Sequence, residues 1–185
     1  EKLNGLILQP GQTLSYNETL GKRTREAGYL PAPAYSGTEL VDEVGGGICQ
    51  VSSTLYLSSL FAELTVVERR NHGFPASYIP LGLDATVNWG TTDLKLRNDY
   101  DLPVKILAEV SDGFVKIRIM GVEQRNYYVK MEYRVDDHPS YAAAYRCRYD
   151  RETDEEISRV LDHTSIYLED VWCNPGYAES ATDDP

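Results

Sequence analysis

The sequence is short of the features that define several large classes of protein. Its apolar runs are no longer than a strand, whereas a membrane-spanning helix needs about 20 apolar residues, so no direct membrane span is expected. Positive charge is scarce: 18 Lys and Arg stand against 29 Asp and Glu, a formal net charge of −11. That balance argues against nucleic acid or an anionic membrane surface as a partner. No Gly-Lys-Ser/Thr follows the run of glycines at 45–47, which removes a phosphate loop, and no cofactor is expected. Histidine and cysteine occur three times each; the spacing of Cys49 and His72 matches no zinc motif, so no metal is expected. Internal repeats and low-complexity segments are missing as well. What remains is an ordinary globular composition, 42% hydrophobic and 25% charged, long enough for one well-packed domain with a smaller appendage.

The acidity is uneven. Residues 150–185 carry eleven Asp and Glu against two Arg, which reads as a solvated acidic tail. Three cysteines cannot all pair with one another. Cys147 and Cys173 are able to close a loop as a disulfide, leaving Cys49 as a thiol or an intermolecular partner, and proximity alone decides. Cys49 in a disulfide of its own is the remaining option.

Along the chain, the first 44 residues show no sustained helical period. "NETLGKRTREAG" predicts one short helix with Asn17 as its N-cap and Gly28 as its stop, and "LPAPAY" predicts extended backbone. From Gln50 to Leu64 a wide apolar arc, including Val51, Leu55, Tyr56, Leu60, Phe61 and Leu64, predicts a mostly buried helix. Its serines, Ser52, Ser53, Ser58 and Ser59, are small enough for another element to come close. After it the period falls to two. "LTVVERRNH", "ASYIPLGLDATVNWG" and "LKLRN" read as strands or extended segments. "LPVKILAEV" and "FVKIRIMGV" read as a hairpin turning at Asp112-Gly113. "NYYVKMEYRV", "YAAAYRCRYD" and "HTSIYLEDVW" read as further strands. The fold class is therefore α+β: one buried helix packed on an antiparallel sheet, with a β-rich C-terminal extension. The division expected is an α+β domain over residues 1–121 and a β-rich acidic extension over 122–185.

The chemistry centres on "VGGGICQVSSTLY", residues 44–56. A helix N-terminus offers unpaired N–H groups and partial positive charge, which favour a thiolate there and can hold the oxyanion formed when a thiolate attacks a carbonyl. Glycines admit a substrate backbone without side-chain obstruction. Cys49 is thus a candidate nucleophile, with Gly46, Gly47 and Gln50 as candidate substrate contacts. A nucleophilic thiol calls for a base, and the base for an orienting group. His72 at the end of "ERRNH" fits the base and Asp84 in "GLDATV" fits the orienter, each expected on a strand; His138 and His163 lie farther along the chain. Simpler roles stand beside these: a cysteine at a helix start as a small buried hydrophobe, a histidine as a surface or capping residue, an aspartate closing a turn.

The segments "LQPGQTLSYNETLGKRTREAGY", "GGGICQVSSTLY", "VVERRNH", "YIPLGLDATV" and "DLKLRNDYDLPVKI" together resemble the VanW family over roughly residues 3–121. The resemblance implies an extracytoplasmic, cell-envelope protein of bacteria, held there by an anchor or leader outside these residues. It implies peptidoglycan or its peptide stems as partner, and Cys49, His72 and Asp84 fall on its recurrent motifs. It implies no settled reaction. The order of cysteine on a helix before histidine and aspartate is also similar to that of transglutaminase-like and papain-like folds, although the short gap between Cys49 and His72 departs from them. Two functions follow as expectations: cysteine-dependent acyl transfer or amide cleavage on peptidoglycan peptides, or non-catalytic binding of wall peptide or a protein partner.

Overall fold

The computed structural model describes residues 2–36, 39–135 and 140–168. Thirteen elements are assigned in this order: β1 (Ile7–Leu8), β2 (Thr13–Ser15), α1 (Tyr16–Leu20), β3 (Pro31–Ser36), β4 (Glu39–Val44), α2 (Ile48–Phe61), β5 (Thr65–Glu68), β6 (Lys95–Arg97), β7 (Val104–Ser111), β8 (Phe114–Met120), β9 (Tyr127–Val135), β10 (Tyr141–Asp150) and β11 (Glu156–Ile166). Every strand pairing is antiparallel, and the class is α+β, rich in strand. The chain forms two compact units, one of residues 1–70 and 85–125, the other of 71–84 and 126–185. Among the described residues, no helix is long and apolar enough to cross a membrane.

The first unit holds three small sheets, ordered β1-β7-β8, β2-β6-β5 and β3-β4. The β7–β8 hairpin forms where alternation predicts it. Asp112 and Gly113 both take positive φ, 51° and 81°, as a two-residue turn matched to strand twist requires. Ile117 is buried while its neighbours Lys116 and Arg118 face solvent, so one face of β8 packs inward and α2 lies on it, with the Ser58 hydroxyl donating to the Ile117 carbonyl at 3.2 Å. Leu8, Leu55, Leu60, Leu94, Leu96 and Ile106 are almost wholly buried in this unit.

α2 starts two residues before the expected Gln50 and stops at Phe61, short of Leu64. Its end is a Schellman turn: the Leu64 amide donates to the Ser59 carbonyl and the Glu63 amide to the Leu60 carbonyl, with Glu63 at φ 53° where glycine is usual. An ion pair from Glu63 to Arg125 at 3.2 Å helps hold that glutamate, and no glycine marks the stop. Phe61, read as part of the apolar arc, is 43% exposed.

The short helix α1 is capped by Ser15, whose hydroxyl accepts from the Glu18 amide, and ends at Gly21, not Gly28. The expected cap, Asn17, is instead buried inside it; its amide donates to Asp93 Oδ1, and the Ser15 hydroxyl donates to Asp93 Oδ2. A carboxylate brought from far along the chain thus moves the helix start upstream.

The second unit is a three-stranded sheet ordered β11-β10-β9, on which the 71–84 segment lies. That segment was expected to hold extended strands but forms turns and irregular backbone; Pro75 and Pro80 cannot donate to a ladder, and Gly82 takes φ 84°. Ala142 and Ala144 on β10 are buried with no exposure, and a Cβ on Gly82 would come 3.3 Å from that of Ala142. Small residues on both sides let the loop settle onto the sheet. The acidic region is not wholly a tail, because Glu156–Ile166 is a strand. Asp162 pairs with Arg146 at 2.6 Å and Glu156 with Arg159 at 2.9 Å. Cys173 and the rest of 169–185 lie outside the described residues, as does His138; Cys147 is a buried thiol on β10.

Candidate functional site

The glycine run is shaped by the protein's own packing. Gly45 and Gly47 have φ of 89° and 86°, a left-handed conformation that glycine adopts without a Cβ clash. At Gly46 a Cβ would sit 2.2 Å from the Ala32 carbonyl oxygen on β3, so the close approach made possible here is made by β3. At Gly47, N-cap of α2, nothing lies within 4 Å of where a Cβ would stand. Gln50 is half-buried in the first turn. The Gln50 and Val51 amides donate to the Gly47 carbonyl and the Ile48 amide to that of Gly45. These first-turn donors are therefore already engaged, which narrows the oxyanion role expected of the helix start.

Cys49 is the second residue of α2 and half-buried. Its sulfur accepts from the Val87 amide at 3.5 Å, lies 3.6 Å from the Val87 carbonyl and is 3.7 Å from the Thr86 hydroxyl. The serines of α2 bring that strip of chain in. Ser52 Oγ donates to the Ala85 carbonyl at 2.6 Å, and the Ala85 amide donates to Ser53 Oγ at 3.0 Å. Small hydroxyl side chains at these positions, all fully buried, both clear the space and satisfy the backbone that fills it.

In the second unit, His72 and Asp84 meet. Both lie on irregular backbone, since β5 ends at Glu68, not on the strands expected. His72 Nδ1 is 2.6 Å from Asp84 Oδ2, and the His72 amide donates to the same oxygen at 2.7 Å. Asp84 Oδ1 accepts from the Tyr167 hydroxyl at 2.6 Å, and that hydroxyl accepts from the Gly82 amide at 2.7 Å. Three donors thus converge on a carboxylate that is 1% exposed, the kind of compensation a buried charge needs. With Nδ1 carrying its proton toward Asp84, Nε2 becomes the basic nitrogen; the Tyr78 hydroxyl lies 3.4 Å from it.

Tyr167 escaped the sequence reading, since a tyrosine among 14 gives no local sign of a carboxylate partner. His163 has a structural part: its Nε2 is 2.6 Å from the Gly82 carbonyl and its Nδ1 is 2.8 Å from Asp162. A bulge between Ala144 and Tyr145 in the β10–β11 pairing puts one extra residue into β11 there and lets neighbouring side chains act together.

Among the described residues, Glu132, Cys147 and Glu156 place donor atoms within 4.8 Å of one another. Arg159 bonds both glutamates, so its charge fills the place a cation would take. Burial, with the nearby Glu132 charge, pushes the Cys147 thiol pKa up, which opposes the thiolate a metal needs.

The family described as VanW like protein matches residues 1–120. The chain is 42% identical over 120 residues to the protein YoaR of Bacillus subtilis strain 168, described there as uncharacterized, covering 65% of this chain and 40% of that one. It is 33% identical over 115 residues to the vancomycin B-type resistance protein VanW of Enterococcus faecalis V583, covering 60% of this chain and 42% of the relative. This chain thus spans less than half the length of either relative, and no solved structure matches it. The matched region contains the glycine run, Cys49, His72 and Asp84, and on that match this chain belongs to the VanW-like protein family.

Proposed function

We propose that this chain is a VanW-like domain of the bacterial cell envelope, outside the cytoplasm, that performs cysteine-dependent acyl transfer or amide cleavage on peptidoglycan peptides. The observation that carries the reading is the 2.6 Å contact between His72 Nδ1 and Asp84 Oδ2, which supplies a base already oriented by a carboxylate. One relative is named for vancomycin resistance, which agrees with an envelope setting.

In this mechanism His72 Nε2 takes the Cys49 proton and the sulfur attacks the amide carbonyl carbon. The tetrahedral adduct collapses by breaking the carbon–nitrogen bond, and His72 returns the proton to the leaving amine. A thioester on Cys49 remains. Water or an acceptor amine then attacks it, giving its proton to His72, and the thiol is restored as the acid or new amide leaves. Asp84 keeps Nδ1 protonated and offsets the imidazolium charge.

The test is turnover of a peptidoglycan stem peptide by wild type, Cys49→Ala and His72→Ala, with iodoacetamide alkylation of Cys49 followed against pH. Cys49→Ala is expected to remove turnover and His72→Ala to lower it by at least ~100-fold. His72→Ala should also move the alkylation midpoint toward the free-thiol range near pH ~8.5. Wild-type turnover in Cys49→Ala ends the catalytic reading.

A second reading has its own support. Ala32 fills the space at Gly46 and first-turn amides are engaged, as in a glycine turn built only to seat a helix. The domain then binds wall peptide or a protein partner without chemistry. An alkylation curve identical in wild type and His72→Ala, with no turnover in either, favours this reading.

A further inference from the structure

Within the first unit, Arg23 has no anion paired with it among the described residues. Its three guanidinium nitrogens are all buried, and none has a hydrogen-bond partner among the described residues. The guanidinium carbon lies over both the Tyr16 ring and the Trp89 ring, 5.8 Å from each centroid. Stacking of this kind satisfies the faces of a guanidinium but not its five in-plane N–H donors. In a chain of net charge −11, a guanidinium with buried nitrogens and no carboxylate paired with it among the described residues is an anomaly, because such groups are retained when something pairs with them.

The surroundings link this arginine to the start of α2. A Cβ on Gly45 would come 2.9 Å from Arg23 Cβ, so the first residue of the glycine run is small in part to let the Arg23 stem pass. The Tyr16 hydroxyl donates to the Ile48 carbonyl at 2.9 Å, one residue before Cys49. Trp89 lies two residues beyond Val87, whose amide donates to the Cys49 sulfur. The indole is 44% exposed, on a turn closed by the Asn88–Thr92 bridge with Gly90 at φ 83°.

We propose that Arg23 is the anion-recognition residue of this region, taking a carboxylate of the ligand edge-on in a bidentate pair, with Tyr16 and Trp89 as the stacking walls. Planar two-point recognition of carboxylate is the task for which a guanidinium flanked by aromatic rings is suited. The exposed Trp89 ring is the wall that shifts to admit the ligand. The site deepens the proposed function, on which it rests only for the ligand's source, a carboxylate-bearing peptide of the wall.

The experiment titrates N-acetyl-alanyl-alanine, in its L,L and D,D forms, against its C-terminal amide, following tryptophan fluorescence and melting temperature. Cys49→Ala protein is the parent, so that turnover cannot blur binding. The acid in at least one form is expected to bind at least tenfold more tightly than the amide, to change the fluorescence in a way lost on Trp89→Phe, and to raise the melting temperature. Arg23→Gln should lose the acid preference while melting at or above the parent temperature, since it removes a charge with no partner among the described residues. Equal binding of acid and amide, no binding of either, or an acid preference that survives Arg23→Gln overturns the proposal. If Arg23→Gln does not fold, the acid-against-amide comparison in the parent decides alone. Acid-selective binding alongside a wild-type protein without turnover removes the reaction and leaves the site.

Discussion

At the scale of single residues, the Tyr167 hydroxyl fixes what His72 can do, because it accepts from the Gly82 amide and donates to Asp84. Tyr167→Phe removes an acceptor of that amide and a donor to the carboxylate, a buried loss of about 1–3 kcal/mol. Urea denaturation is expected to show the loss, and nitrogen chemical shifts of the His72 ring should move toward a mixture of tautomers. Unchanged ring shifts mean that Asp84 is held well enough by His72 itself. Cys49, His72 and Asp84 were legible as chemistry-bearing types beside a glycine-led helix and in short polar breaks between apolar runs. Tyr167 and Arg23 were not, because what distinguishes them is respectively a partner gained and a partner missing among the described residues, and neither leaves a mark on the local pattern.

At the scale of elements, the start of α2 is fixed by contact with β3. Gly46→Ala would put a methyl 2.2 Å from the Ala32 carbonyl oxygen, an overlap with backbone that no rotamer relieves. A destabilisation of at least ~2–3 kcal/mol is expected, read as a lower denaturation midpoint with the slope unchanged; a loss below ~0.5 kcal/mol contradicts this packing. The elements themselves were unequally legible. The β7–β8 hairpin and β10 fall where the two-residue period and the Asp112-Gly113 turn put them, because both cues are local. The end of α2 was misplaced since Glu63 holds a position where glycine is the usual signal, helped by an arginine 62 residues away. β3 was foreseen as extended, but β4 was not, for "ELVDEV" carries too many charges to read as a buried strand. Its exposure at 41–43 shows why those charges are tolerated.

At the scale of the whole molecule, charge sets the response to pH. Asp99 is brought down to about 2 by its hydrogen bonds from Arg97 and Thr65. Lys95 lowers Glu68 and Arg159 lowers Glu156. Carboxyls with depressed folded-state pKa contribute stability above their ordinary values and lose it as protons bind. Stability is therefore expected to fall as pH drops from about 4.5 toward about 2. At the alkaline end the sign comes from the opposite displacement. Burial raises Cys147 and Tyr149, so folding favours their neutral forms, and stability should decline as pH rises above about 9. Denaturation midpoints measured from pH 2 to 11 check both limbs; an alkaline limb unchanged in Cys147→Ser removes that residue from the account.

The sequence by itself determined the α+β class, the long helix, the hairpin turn and the set of groups able to do chemistry. Those depend on local periodicity, on glycine conformation and on side-chain type. Only the tertiary structure decided which groups meet. Asp84 reaches His72 because Pro75, Pro80 and Gly82 keep residues 71–84 out of a ladder and the alanines of β10 let that loop settle. Arg23 reaches the Tyr16 and Trp89 rings because Gly45 leaves room for its stem. The physical reason is that a periodic pattern reports which side of an element is buried, whereas a hydrogen bond between distant residues depends on the path of all the chain between them.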